Sequence, residues 1–171
     1  MSKNSQITGH DGPYDSPVKL PAKKVLKSWI DYNGHMNVAF YTMAIDKSLD
    51  IFLEKTLGLG ESHANKNDQG PFVVQANFHY LNEMKYKDKF FVQVSLIDFD
   101  EKKMHLCLEI ILEEKQIVMA ISEQLMLNVN LIKRKTEPYP NWAIKRLMLM
   151  KENHKIVKLP LNVGRKILIK K

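Results

Sequence analysis

Sorted by the spacing of its apolar residues, the chain reads as one long helix followed by a run of strands. Tyr41, Ile45, Leu49 and Phe52 recur at helical spacing, while Asp46, Asp50 and Glu54 turn elsewhere. Asn37 is a favourable N-cap, so the helix is predicted to start there, and Gly58 supplies its stop. Ahead of it, Lys23 to Ile30 reads as a strand. Residues 59–70, with Gly60, Asn65, Asn67, Asp68 and Gly70, read as a loop.

Four strands are predicted next. Phe72, Val74, Ala76, Phe78 and Tyr80 alternate with Gln75, Asn77 and His79, the pattern of a half-buried strand with one apolar face. Phe90, Val92, Val94 and Leu96 form the next row, Met104 to Leu112 the third, and Ile117 to Leu131 a long last one. Their short polar connections, around Asp98 to Lys103 and Glu114-Lys115, require antiparallel hairpins. Glu123 interrupts the last apolar row, where an unpaired charge is costly, so either a bulge that turns it outward or a lysine partner is expected. A second helix is predicted from Pro140, with Trp142, Ile144, Leu147 and Met148 as its apolar contacts. The resulting fold class is α+β, a single domain with a five- or six-stranded antiparallel sheet and one long helix. Residues 1–20 read as a loose polar arm, 21–151 as the folded domain and 152–171 as a basic tail. Three readings stay open for the stretch from Lys155: an extra strand, a tail laid on a partner subunit, or disorder.

A chain of 171 residues suffices for one domain with a real core. No apolar run approaches the ~18 residues of a membrane span, and the polar start lacks a signal-peptide core, so a cytoplasmic protein with no membrane partner is expected. Cys107 is the only cysteine, which excludes an intrachain disulfide. The net charge of +7 is concentrated near the C-terminus, in Lys151, Lys155, Lys158, Arg165, Lys166, Lys170 and Lys171. It fits solubility, or attraction to a polyanionic ligand such as coenzyme A; no helix-turn-helix or basic-aromatic pattern supports nucleic acid. His-x-x-Glu-His, Cys-x-x-Cys, Walker A, GxGxxG and Gly-x-Ser-x-Gly patterns are all missing, which disfavours a metal site, nucleotide hydrolysis, nicotinamide chemistry and serine hydrolysis.

The densest chemistry lies in Asp31-Tyr32-Asn33-Gly34-His35-Met36-Asn37, directly before the long helix. A carboxylate, two carboxamides and an imidazole there meet a helix N-terminus, whose first N–H groups lack intrahelical partners and carry partial positive charge. Asp31 serves either as general base or nucleophile, or as an acceptor for turn N–H groups. Asn33 orients substrate or belongs to the turn. His35 has a reference pKa near neutrality and suits proton transfer or donation to a carbonyl. Gly34 brings backbone close to a ligand or makes a turn, and the Gly34 and His35 N–H groups are candidate oxyanion donors. Asn37 caps the helix or touches substrate.

This run resembles the Asp-x-Asn-x-His signature of hot-dog-fold thioesterases. It is similar to plant acyl-ACP thioesterases and more so to bacterial betainyl-CoA-type thioesterases. Gly70-Pro71-Phe72-Val73-Val74, Phe78 to Glu83, and Ser122 to Val129 resemble later segments of the same family, in the same order. The resemblance implies a sheet wrapped around the helix and hydrolysis of a short or medium acyl-CoA, with no cofactor beyond the CoA of the substrate. It also implies a homodimer or a dimer of dimers, with sites at the subunit interface. Glu83, three residues after Tyr80, matches the spacing of a catalytic Glu in the plant enzymes, so Asp31, Asn33, His35 and Glu83 form the candidate catalytic set. Gly34, Asn37, Tyr41, His79 and Asn128 form the candidate substrate-binding set; betainyl-type relatives usually carry His where Asn128 stands. An acyl-ACP thioesterase and a non-catalytic acyl-CoA-binding domain are the rival readings.

Overall fold

The computed structural model describes residues 8–169. Two short strands, β1 (Val18–Lys19) and β2 (Lys23–Lys24), precede a 3-10 turn at Lys27–Trp29. Helix α1 (Val38–Ile51) continues as a π-helical segment, Phe52–Leu57, and α2 (Glu61–Asn67) follows. The long strands are β3 (Gln69–Tyr80), β4 (Lys89–Phe99), β5 (Lys103–Leu112) and β6 (Ile117–Asn130). A two-residue β7 (Lys135–Thr136) leads into α3 (Asn141–His154). All pairings are antiparallel, in the order β1-β4-β5-β6-β3, with β2 on β4 and β7 on β6.

The helical row Tyr41, Ile45, Leu49 and Phe52 is buried as its spacing predicts. It shares one apolar cluster with Phe90, Val92, Val94 and Leu96 of β4 and the even-numbered residues of β5 from Met104 to Leu112. The helix therefore lies on one face of the sheet. Gly58 ends the helical run in the left-handed region at φ 74°. Glycine is required there twice over, because a Cβ would also lie 2.0 Å from the Thr8 carbonyl oxygen.

Several expected elements differ. The strand predicted over 23–30 stops after Lys24, since Trp29 N–H turns back to Leu26 O and the chain leaves the β4 edge to reach α1. The loop predicted over 59–70 contains α2; Glu54 starts it by accepting from the Ser62 N–H at 3.1 Å and the Ser62 hydroxyl at 2.5 Å. In β3 a bulge at Val74 breaks the alternation. Phe72 consequently faces the same way as Gln75 and Asn77, away from Ala76, Phe78 and Tyr80, and Arg134 covers its ring at 5.4 Å. Glu123 needs neither a local bulge nor a lysine. It stands on the face of β6 opposite α1, where its carboxylate takes His105 Nε2 at 2.8 Å and the Gly164 N–H at 2.7 Å. Pro140 is the N-cap of α3, one place before the predicted first helical position.

The arm and tail boundaries also shift. Residues 1–7 of the arm lie outside the described residues, but 8–20 are built into the domain: Tyr14, Val18 and Leu20 are buried, and Val18 pairs with Val94. Arg146 on α3 holds this segment, donating to Thr8 O at 2.7 Å, Leu57 O at 2.8 Å and Asp11 Oδ1 at 2.7 Å. Helix α3 runs through the predicted boundary at 151 and ends with buried His154. Among the described residues no helix is long and apolar enough to cross a membrane.

His154 joins three parts of the chain. Its Nδ1 accepts the Leu96 N–H of β4 at 2.8 Å, and its Nε2–H donates to the Asp15 carbonyl at 2.9 Å. Protonating Nδ1 would set donor against donor. Burial, chiefly, holds the His154 pKa below the usual imidazole value, and burial does the same at His63. The unfolded chain thus binds protons at these sites that the folded chain refuses. Stability is complete above the unfolded histidine pKa of about 6.5 and falls as pH drops through and below it. Urea midpoints measured at pH 7.5 and 5.5 should show this loss, and His154→Gln should shrink the difference between them. Equal midpoints at the two pH values in the native protein would contradict the assignment.

Candidate active site

The motif folds as a tight loop before it reaches α1. Asp31 O accepts the Gly34 N–H at 3.0 Å, and the Asp31 N–H donates to His35 O at 3.0 Å. The Asp31 carboxylate accepts the Asn33 N–H at 2.8 Å, closing an Asx turn. Gly34 sits at φ 81°, the left-handed geometry such a turn demands. Its N–H is occupied by Asp31 O, so the expected oxyanion-donor role of the Gly34 amide is not met in this geometry. Asn33 and Tyr32 point to solvent.

Three hydrogen bonds set the helix start. Met36 N–H reaches Met84 O at 2.7 Å, Asn37 N–H reaches Trp29 O at 2.9 Å, and Asn37 Oδ1 accepts the Ala39 N–H at 3.0 Å. Asn37 is therefore the helix cap. One turn along, the buried Tyr41 hydroxyl donates to Asn82 O at 3.2 Å and accepts the Met84 N–H at 3.0 Å. Burial is the main reason that its pKa is raised, so it remains a neutral phenol.

These contacts form a cleft of about 260 Å³ lined by His35, Met36, Val38, Tyr41, Tyr80, Leu81, Asn82 and Glu83. His35, Tyr41 and Glu83, far apart in sequence, thus share one concavity at the N-terminus of α1. His35 Nδ1 lies 3.2 Å from the Met36 carbonyl, which makes it the protonated nitrogen and leaves Nε2 with a lone pair in the neutral ring. Tyr80 meets Tyr41 edge-on at 5.4 Å and stacks on Phe78 at 5.9 Å, so the apolar side of the cleft is aromatic. A larger groove of about 640 Å³ lies elsewhere, between residues 164–167 and the sheet, and holds none of the motif.

The other candidates lie apart from the cleft lining. Asp31 stands behind the turn with one oxygen engaged. His79 faces the opposite side of β3, beside Asn77 at 3.4 Å. Asn128 is fully buried and donates to the carbonyls of Glu137 and Pro138, both at 3.1 Å. Its amide fastens the chain after β7 to β6. Tyr80 and Asn82 are cleft residues that sequence reasoning passed over. Tyr80 was visible as a strand residue on an apolar face, and Asn82 only as part of the spacer leading to Glu83.

With this geometry in view, likeness to known proteins becomes informative. The family model of the thioesterase-like superfamily matches residues 25–147. A betainyl-CoA thioesterase of Pseudomonas aeruginosa is 28% identical over 143 residues, 84% of this chain and 89% of that protein. A candidate thioesterase structure from Pseudomonas putida superposes with a TM-score of 0.77 at 28% identity, covering 91% of this chain and 98% of that one. A Staphylococcus aureus structure solved in complex with CoA gives a TM-score of 0.81 at 22% identity, over 93% and 100% of the two chains. The chain belongs to the thioesterase-like superfamily, and its sheet and long helix are the hot-dog arrangement. It is a thioester hydrolase.

The Tyr41 hydroxyl is the pin between α1 and the Asn82–Met84 segment. Tyr41→Phe removes it and strands a buried N–H. A loss of about 1–3 kcal/mol is expected in urea unfolding, together with reduced turnover. An unchanged midpoint would remove Tyr41 from this role.

Proposed function

We propose that this thioester hydrolase cleaves acyl-CoA carrying a short or medium acyl group, in the cleft at the start of α1. The observation that carries the reading is the meeting of His35, Glu83 and the first turn of α1 around one small concavity. The CoA part is supported by the betainyl-CoA relative and by the CoA complex of the Staphylococcus aureus structure. Met36, Val38 and Leu81 with the rings of Tyr41 and Tyr80 give the cleft an apolar wall suited to an acyl group. No cofactor beyond the CoA of the substrate is invoked, and the cytoplasm is the proposed location.

Hydrolysis needs an activated water, a home for the oxyanion and a departing thiolate. Glu83 lines the cleft and takes a proton from water as the water oxygen bonds to the thioester carbon. The negative charge that develops on the carbonyl oxygen faces the N-terminus of α1, where the Val38 N–H has no intrahelical partner and the helix dipole is positive. As the oxyanion collapses, the C–S bond breaks and the proton held by Glu83 passes to the CoA sulfur. His35, fixed by its Nδ1–H on Met36 O, offers Nε2 to shuttle that proton. Asp31 orders the loop through the Asn33 N–H, and Asn33 stands at its rim. Asp31→Asn keeps an oxygen for that N–H but removes the charge. Thiol release across a panel of acyl-CoAs should show Glu83→Gln lowering kcat by about 100-fold or more, with a smaller fall for Asp31→Asn. The reverse order would transfer water activation to Asp31.

A homodimer or larger assembly is part of the same proposal. β3 ends the sheet, with twelve residues in strand conformation and no neighbour on its far side among the described residues. Phe72, Val73 and Val74 on it are exposed. A long edge of this kind is a template for another strand. Pairing of two β3 edges would also carry the second copy toward the Tyr80 side of the cleft. Light scattering at micromolar concentration should return at least twice the 19.9 kDa chain mass; a monomer would refute the assembly.

A further inference from the structure

The segment that follows α3 crosses the sheet on the face opposite α1. At Gly164 its N–H donates to Glu123 of β6, and one residue later the Arg165 carbonyl accepts from Asn77 Nδ2 of β3 at 3.1 Å. Asn77 and Glu123 are register partners, so this step carries the segment from β6 onto the edge strand. Residues 166–168 then lie beside Asn77, Phe78 and His79. Beyond the anchor the side chains lack cover: Ile167 is 95% exposed, Leu168 64% and Ile169 91%. Residues 165–169 belong to no strand or helix. Three consecutive bare aliphatic residues just beyond such an anchor are unusual on a free surface.

We infer that this segment is a strap exchanged between two copies of the chain, each laying Ile167 to Ile169 on the partner's sheet face across the seam of paired β3 edges. The inference rests on the homodimer proposed above. The occupant follows from position, because the strap reaches β3, the long strand edge left open among the described residues. Four residues such as 166–169 span about 13 Å when extended, and two strand spacings, from one β3 to the partner's β6, come to about 10 Å. On each copy a groove of about 640 Å³ lies beside that edge, between residues 164–167 of its own strap and Gln75, Ala76, His105 and Leu125 of the sheet. Two-fold symmetry would present this groove to the incoming strap of the other copy and close the contact without leaving a free end.

Two measurements on the full chain test the strap. In sedimentation equilibrium, the double variant Ile167→Asp/Ile169→Asp should weaken the dimer by about tenfold or more, since each buried isoleucine is worth roughly a decade of affinity. Its thermal midpoint, measured where it is monomeric, should match that of the native monomer. A native protein that is itself monomeric would sink the homodimer and the strap together. A native dimer whose dissociation constant is untouched by the double variant would sink the strap alone. Separately, a benzophenone amino acid placed at position 168 should yield, on illumination, covalent dimers joined to β3 or β6 peptides of the other chain. Cross-links confined to single chains would assign the strap to its own protomer and overturn the exchange.

Discussion

The start of α1 is the point on which the site depends. Its first turn is held by Met36 N–H on Met84 O, by Asn37 N–H on Trp29 O, and by the Tyr41 hydroxyl between Asn82 and Met84. Each such bond contributes only about 1 kcal/mol net. Together they bring a helix N-terminus, with its Val38 amide and the positive end of the dipole, against the segment that carries Glu83. Burial of Tyr41, Ile45 and Leu49 on the sheet supplies the larger stabilisation, but burial is non-directional and would tolerate a helix shifted along its axis. The hydrogen bonds remove that freedom. In the proposed reaction, where displacements near 1 Å matter, this division of labour keeps His35 and Glu83 in one fixed cleft.

The sheet is finished differently at its two ends. Along β4, the short strands β1 and β2 and the helix α3 cover the edge, and Arg146 and His154 bind the early chain to that side through buried hydrogen bonds. Along β3 nothing comparable exists among the described residues, and apolar side chains stand in water on either side of the Val74 bulge. One end of the domain is thus closed by its own chain. The other leaves a long backbone edge and the side chains of Phe72, Val73 and Val74 uncovered among the described residues. The cleft lies near this open end, as the presence of Tyr80 in its lining shows.

Polar groups within the sheet explain why β6 looked irregular in sequence. An irregular step in its pairing with β5, where Ile110 faces Ala120 but Ile111 faces Val118, puts Met119 in the core. From there the apolar row from Ile121 onward faces away from α1, while Ser122 and Gln124 are buried on the helix side with a 3.0 Å bond between them. Glu123 falls on the outer face and is satisfied by His105 and the Gly164 amide. The cost of a half-buried carboxylate is offset by two hydrogen bonds, one of which anchors residues that follow α3.

Helix α1 and the four long strands were legible because their periods, 3.6 and 2, are written directly in side-chain order. Asn37 as cap and Gly58 as stop were legible for the same local reason. The Asp31 to Asn37 motif was recognisable as chemistry, since its residues are contiguous. Contiguity did not reveal which of its members would meet. That His35 shares a cleft with Glu83, while Asp31 turns its carboxylate to Asn33, depends on contacts across about fifty residues, and the sheet and α1 alone decide it. The bulge at Val74 reversed the face of Phe72, because one extra residue inverts all that precede it in a strand and leaves no trace in composition. Asn128 was placed with substrate by resemblance, and the fold gave it two carbonyls to hold instead. Local periodicity and capping were the sequence's own contribution; the meeting of distant polar groups belongs to tertiary structure, because only packing brings their partners within hydrogen-bond reach.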